Sequence, residues 1–194
     1  KTLTIGKIKQ AVEKYEPVAV QKNLLEEYTQ EAGVLVALYE EQNSLKVILT
    51  RRSPHLSTHA HQVSFPGGHQ EKVDKDLWST ALREAQEETG LDPSLPQKIG
   101  ELDAIVTVGS GTLIHPFVAL LPHRPELKAN SAEVETIRHV DLAELLKEET
   151  WREEYWEREE RSHAVTFFEV PNETIWGATA NILRQLLTLG LGIV

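Results

Sequence analysis

Cysteine is absent from the 194 residues, so disulfides and thiolate metal sites are excluded, and nothing calls for an oxidising compartment. Long apolar runs are missing as well. No stretch approaches the ~20 residues a helix needs to cross a bilayer, and no signal-peptide pattern opens the chain. Basic residues are outnumbered: 20 Lys and Arg against 30 Asp and Glu give a formal charge of −10. Nucleic acids and anionic membranes are met by clustered cations, so neither is an expected partner. These absences point to a soluble cytoplasmic protein, and an anionic ligand would need a cation to mediate. Internal repeats and low-complexity linkers are also lacking, and the length suits one domain, residues 1–194.

Apolar periodicity supplies the elements. Ile5, Ile8 and Val12 recur at helical spacing in 4–14, and the segment 1–30 reads as peripheral. Residues 33–39 and 45–50 are rich in β-branched side chains and read as a hairpin turning over 40–44. Val63 to Phe65 reads as a short strand stopped by Pro66-Gly67-Gly68, a breaker where a turn with close backbone approach is expected. Asp76 to Thr89 puts Leu77, Trp78, Ala81, Leu82 and Ala85 on one helical face, with Gly90 as the terminating residue. Further strands are expected at 99–106, 112–121, 133–140 and 164–170, with helices at 141–147 and 175–189. The charge-dense stretch 148–162 fits a helix or an exposed hairpin arm. Asn172-Glu173-Thr174 matches a glycosylation acceptor but reads as a turn and helix cap. Strands on both sides of an isolated helix suggest a mixed, layered α/β domain.

The helix at 76–89 carries the chemistry. Glu84, Glu87 and Glu88 stand at i, i+3 and i+4, so they are neighbours on one patch. Like charges at that spacing cost roughly 0.2–0.5 kcal/mol per pair, and the C-terminal helix dipole disfavours anions as well. The patch lies about a quarter-turn from the apolar face rather than opposite it, which suits a cleft between helix and sheet. A Glu-Glu pair alone would be an ordinary solvated face. Three carboxylates on a shoulder are instead rationalised by a hard divalent cation with oxygen ligands, Mg²⁺ or Mn²⁺, which also takes substrate phosphates. Gly67 and Gly68 would let backbone approach a phosphate or the metal. His55, His59 and His61 lie in a loop without the helical spacing of a zinc site, and read as substrate contacts or solvent-exposed groups.

Gly68, Asp74 after five residues, then Arg83-Glu84-Ala85-Gln86-Glu87-Glu88-Thr89-Gly90-Leu91 after eight resembles the Nudix box, G-x5-E-x7-R-E-U-x-E-E-x-G-U with U bulky and apolar. The departures are Asp74 for the first Glu, one extra residue before Arg83, and the small Ala85. Phe65-Pro66-Gly67-Gly68 before it, Ile48-Leu49-Thr50-Arg51-Arg52-Ser53 upstream and Ile175-Trp176-Gly177-Ala178-Thr179-Ala180 downstream resemble the coenzyme A pyrophosphatase branch. That branch has Arg at the position of Ser57 and Gly at that of His61. The resemblance spans about 32–190, taken as the core.

It implies a Nudix-type α/β/α sandwich with a mixed β-sheet, and a metal-dependent hydrolase that cuts the pyrophosphate of a nucleoside diphosphate derivative, foremost coenzyme A. Glu84, Glu87 and Glu88 would be metal ligands or the water-activating base, Arg83 would orient a carboxylate, and Glu133 would reach the metal from a loop. Arg51 and Arg52 are candidates for substrate phosphates. Adjacent strand residues face opposite ways, and Arg52 holds the signature position. The alternatives are another Nudix substrate, such as ADP-ribose, a dinucleoside polyphosphate or an oxidised nucleotide, and a non-catalytic nucleotide-binding module. The partner in each case is a small-molecule nucleotide.

Overall fold

The computed structural model describes residues 2–20, 30–56, 61–107, 110–158 and 160–193. β1 (Gln30–Glu41) and β2 (Ser44–Arg52) form the expected hairpin. It turns on two residues, Gln42 and Asn43, with φ of 51° and 64°. Two successive positive φ values make a type I′ turn, whose twist matches the paired strands, so both strands run further than the apolar stretches alone indicate.

β3 (Val63–Ser64) is the anticipated short strand. The Pro-Gly-Gly segment ends β3 and the chain bends at Pro66, but the glycines close no turn. It continues as β4 (Gly67–His69), antiparallel to β1. Close approach is nevertheless what its glycines serve: a Cβ on Gly67 would lie 2.5 Å from the Gly33 carbonyl oxygen.

α2 (Leu77–Thr89) follows, with Asp76 accepting from the Ser79 amide at its start and Gly90 left-handed at φ 71° at its end. The C-terminal stop is the one the sequence indicates, while Asp76, read as the first helical residue, is instead the N-cap. Gly33 admits the helix to the sheet, since a Cβ there would meet the Leu77 carbonyl oxygen at 2.3 Å. Gly33→Ala is expected to destabilise the protein by about 1–3 kcal/mol, the usual cost of overpacking. Urea unfolding should show a lower midpoint with an unchanged slope.

The strand expected at 99–106 is two, β5 (Gln97–Glu101) and β6 (Ile105–Thr107), both antiparallel to β7 (Thr112–Leu120). β8 (Val134–Asp141) and the one-turn α3 (Leu142–Leu145) stand where expected. The charged stretch resolves as a hairpin of β9 (Trp151–Arg158) and β10 (Arg161–Val170). The closing helix begins later than residue 175: Glu173–Trp176 is a strand, β11, and α4 spans Ala178–Leu191. Gly177, at φ 69°, separates the two. Asn172 is left-handed between β10 and β11, so its tripeptide is a turn but caps no helix.

Among the described residues eight strands form one sheet in the order β3-β2-β1-β7-β5, with β4 also on β1, β6 on β7 and β8 on β2. β1 and β7 run parallel and the other pairs antiparallel. β1 is buried on both sides. Leu35, Ala37 and Tyr39 pack with Ala81 and Ala85 of α2, while Val36 and Leu38 pack with Ile182, Leu183 and Leu186 of α4. The result is the expected α/β/α sandwich with a mixed sheet. α1 (Ile5–Lys14), expected to be peripheral, belongs to the α4-side core: Ile8 and Val12 are 0% and 1% exposed. Each contributes roughly 1.5–3 kcal/mol. No described helix is long and apolar enough to cross a membrane.

Candidate functional site

Helical geometry sorts the three glutamates of α2. From Glu84, Glu88 lies ~40° round the axis in one direction and Glu87 ~60° in the other. Glu84 and Glu88 turn inward and converge with Glu133; one carboxylate oxygen from each lies within 4.8 Å of the others. Glu87 stands on the solvent side, with its side chain 49% exposed and 3.3 Å from Arg83 Nη1.

Glu133 reaches the group because its loop is tied to the end of α2. The amides of Lys128 and Asn130 donate to the carbonyls of Thr89 and Glu88 at 2.8 and 2.9 Å. Last-turn carbonyls have no intrahelical donor, so the loop takes their place. On the far side, the Ser53 amide donates to the Glu133 carbonyl at 2.9 Å. β8 then skips a residue against β2: Arg51 faces Thr136 and Arg52 faces Val134. This bulge aims Glu135 at Arg51 Nε, 3.5 Å away, and His61 Nδ1, 3.3 Å away, which keeps a fourth carboxylate out of the group.

The two arginines part as strand alternation requires. Arg51 lies between Glu135 and the buried Glu173, 3.7 Å from the latter, away from the carboxylate group. Arg52 faces Glu88 closely enough for its charge to favour that carboxylate's ionised form. Burial, reinforced by Glu84 and Glu133, nonetheless pushes Glu88 up to about 8, against the Gly67 amide that donates to it. Burial likewise raises Glu84, opposed by Arg83. Half-buried carboxylates at this spacing are short of positive charge.

Arg83 braces the arrangement. Its Nε and Nη2 donate to the two oxygens of Asp74, each at 2.9 Å, its Nη1 to Glu84 Oε1 at 3.0 Å, and its Nη2 to the His69 carbonyl at 3.2 Å. Asp74, with a side chain 3% exposed, also accepts from the Glu71 amide and the Thr80 hydroxyl, both at 2.9 Å. The guanidinium fork first, then these two donors, hold its carboxyl well below the usual carboxylate range. Asp74 is the site residue the sequence leaves without a task; its place at the first acidic position of the box is the signal for it.

Gly67 and Gly68, expected against substrate, both engage glutamates. Gly67 donates to Glu88. A Cβ on Gly68 would fall 2.5 Å from Glu84 Cδ, so glycine leaves that carboxylate its position. Gly68→Ala is therefore expected to weaken divalent-cation binding about 10–100-fold, the scale for disturbed ligand placement. Calorimetric titration with Mn²⁺, alongside an unchanged circular dichroism spectrum, checks this.

Of the loop histidines, His55 is exposed, and His59, like Ser57, lies outside the described residues. His61 takes φ 64°, a left-handed conformation that glycine adopts without cost. The glycine of the signature is thus replaced here by a side chain that keeps a glycine-like backbone. Among the described residues no histidine belongs to a group that could hold a metal.

The NUDIX domain model matches residues 29–173. The chain is 41% identical over 140 residues to the Nudix hydrolase NudL of Photorhabdus laumondii, a match covering 72% of this chain and 74% of that protein. It is 40% identical over 165 residues to the chloroplastic Nudix hydrolase 22 of Arabidopsis thaliana, covering 81% of this chain and 54% of the relative. It thus spans about half the length of that plant protein. Among solved structures, the NUDIX domain of Shewanella oneidensis NrtR complexed with ADP ribose aligns with a TM-score of 0.51 at 21% identity, covering 71% of this chain and 84% of that one. RenU, a Nudix hydrolase from M. smegmatis, aligns with a TM-score of 0.51 at 17% identity, covering 60% and 73%. At these identities the likeness is one of fold.

Proposed function

The chain belongs to the NUDIX domain family, and from that premise we propose that it is a divalent-metal-dependent hydrolase of a phosphoric anhydride in a nucleoside diphosphate derivative. The observation that carries this is the convergence of Glu84, Glu88 and Glu133 within 4.8 Å, with Arg52 beside Glu88. Three oxygen donors deficient in positive charge fit a hard divalent cation, Mg²⁺ or Mn²⁺. Bound there, the cation supplies Lewis acidity toward phosphate oxygens and acidifies water.

The chain's own residues do the rest. Glu84, Glu88 and Glu133 hold the cation; Arg83 fixes Glu84 and takes Glu87 as a further counter-ion; Arg52 faces the side where substrate phosphates gather. In the reaction a water oxygen bonds to one phosphorus, the bridging oxygen leaves with the other, and a proton is released. This favours hydrolysis over the binding-only alternative, because every carboxylate of the box is present.

For the substrate we favour coenzyme A or a derivative, cleaved to 3′,5′-ADP and 4′-phosphopantetheine. Its support is the set of flanking motifs at 48–53, 65–68 and 175–180, with the left-handed backbone of His61 where the signature has glycine. The purified chain is to be assayed with Mg²⁺ or Mn²⁺ on coenzyme A, ADP-ribose, a dinucleoside polyphosphate and an oxidised nucleoside triphosphate. We expect coenzyme A to have the highest kcat/KM, with activity abolished by a chelator and restored by the metal. Faster turnover of any other member would overturn the substrate assignment; turnover of none would overturn the hydrolase.

A further inference from the structure

The sheet of β9, β10 and β11 carries every exposed large aromatic residue among those described: Trp151, Tyr155, Trp156 and Trp176 are 42, 70, 46 and 40% exposed. On its outer face the rings of Trp156, Phe167 and Trp176 gather at centroid distances of 5.8–6.3 Å, and the Arg152 guanidinium lies 4.3 Å over Phe167. Trp156 faces His163 across the hairpin, and Tyr155, on the opposite face, lies across from Ala164. Both faces of the arm are therefore open to water at this point, a state in which a two-stranded hairpin is marginal. Exposed tryptophan and tyrosine with arginine are also the composition of interface centres.

β9 is the edge of this sheet, paired with β10 on one side and with no described strand on the other. Its charge order selects the occupant. Only alternate residues of an edge strand turn their amides outward, so when such a strand pairs with its own copy about a two-fold axis, facing residues differ by an even number. Centred on Glu154, the register sets that carboxylate against itself. Centred on Tyr155, it opposes Arg152 to Arg158 and Glu153 to Glu157. Centred on Trp156, it opposes Glu154 to Arg158 twice, brings the two Trp156 rings together on the axis and leaves Glu153 outside the paired stretch, because β9 ends at Arg158. Like charges directly opposite destabilise a pairing and unlike charges support it. Within its own chain Arg158 faces Arg161 across the hairpin, and among the described residues it has no carboxylate partner.

We propose that β9 is a homodimer interface, at which a second copy of this chain adds its β9 antiparallel, edge to edge, in the register centred on Trp156. The pairing sets the two exposed Trp156 rings against each other, gives Arg158 a counter-ion in Glu154 of the second copy and removes a free edge of the kind that promotes aggregation.

Light scattering across a dilution series of the full chain tests this. The expected result is a dimer mass that falls toward the monomer on dilution. Glu154→Arg and Arg158→Glu should each weaken dimerisation about tenfold or more, by placing like charges opposite one another twice, and the double reversal should restore it. Because the chain has no cysteine, Trp156→Cys gives a second measurement that needs no charged variant to fold: oxidation should link it into a covalent dimer, whereas Arg161→Cys should not link. A monomer at every concentration, a dimer indifferent to both reversals, or equal cross-linking of the two cysteine variants would each overturn the proposal. Catalytic activity is not a readout here, so failure of the interface and failure of the hydrolase assignment are distinguishable.

Discussion

Glu88→Gln is expected to lose about 10²–10³-fold in kcat at saturating Mg²⁺, the equivalent of several kcal/mol of metal-mediated charge stabilisation. It should stay folded. The amide oxygen still accepts from Gly67, and the substitution removes a carboxyl whose charged form is already disfavoured by burial and by Glu84 and Glu133. The pH dependence of stability separates charge from shape. Burial raises Glu88 from its ordinary 4.5 to about 8, so between those values the folded state binds a proton that the unfolded state has released. Metal-free wild-type protein should therefore lose stability as pH rises through that window. The Gln variant should lack this component. Thermal melts in chelator across the window, with kcat at saturating metal, check both parts. Near-wild-type turnover would sink the metal-ligand role; identical pH profiles would sink the electrostatic account.

Asp74→Asn is expected to cost about 2–4 kcal/mol, somewhat under the range for breaking a fully enclosed pair because Arg83 keeps one open side. The amide loses one of the two oxygens that receive the guanidinium fork and leaves Arg83 closer to Glu84 and Glu87. Activity should fall with it, since the brace on Glu84 relaxes. Here the sign is opposite to that of Glu88: a carboxyl held low stabilises the protein above its ordinary 3.8 and loses that contribution as pH falls. The wild-type advantage in urea unfolding should thus be full at neutral pH and shrink in acid. An Asn variant as stable as wild type at pH 7 would show that the Asp74–Arg83 pair does not hold the β4–α2 connection.

The helix of the site was legible almost residue by residue, because the apolar positions from Leu77 to Ala85 and Gly90 are local signals that tertiary contacts leave unchanged. The β1–β2 hairpin was legible for the same reason. What was not legible depends on partners far away in sequence. The spacing of Glu84, Glu87 and Glu88 places all three on one patch, but only the sheet decides which side faces inward, and so which of them meets Glu133. Pro66-Gly67-Gly68 carries a turn signal, yet β1 offers it a strand partner and Gly33 the room. The apolar stripe of α1 marks a helix without showing that α4 will cover it. Glu173–Trp176 has a helix-compatible pattern, and only Gly177 and the pairing with β10 make it a strand. That Arg51 and Arg52 face opposite ways is legible because alternation along a strand is local; which of them faces Glu88 is not, and Arg52 is indicated only by its signature position.

The two amide bonds that tie the Glu133 loop to the end of α2 also mark where local opening can be measured. Glu133 cannot move far from Glu84 and Glu88 unless the amides of Lys128 and Asn130 release their carbonyls, so the hydrogen exchange of these two amides reports the free energy of opening the site independently of global unfolding. A cation held by all three carboxylates would slow both amides by the same factor, making a pair of backbone protons a reporter of occupancy that requires no substrate.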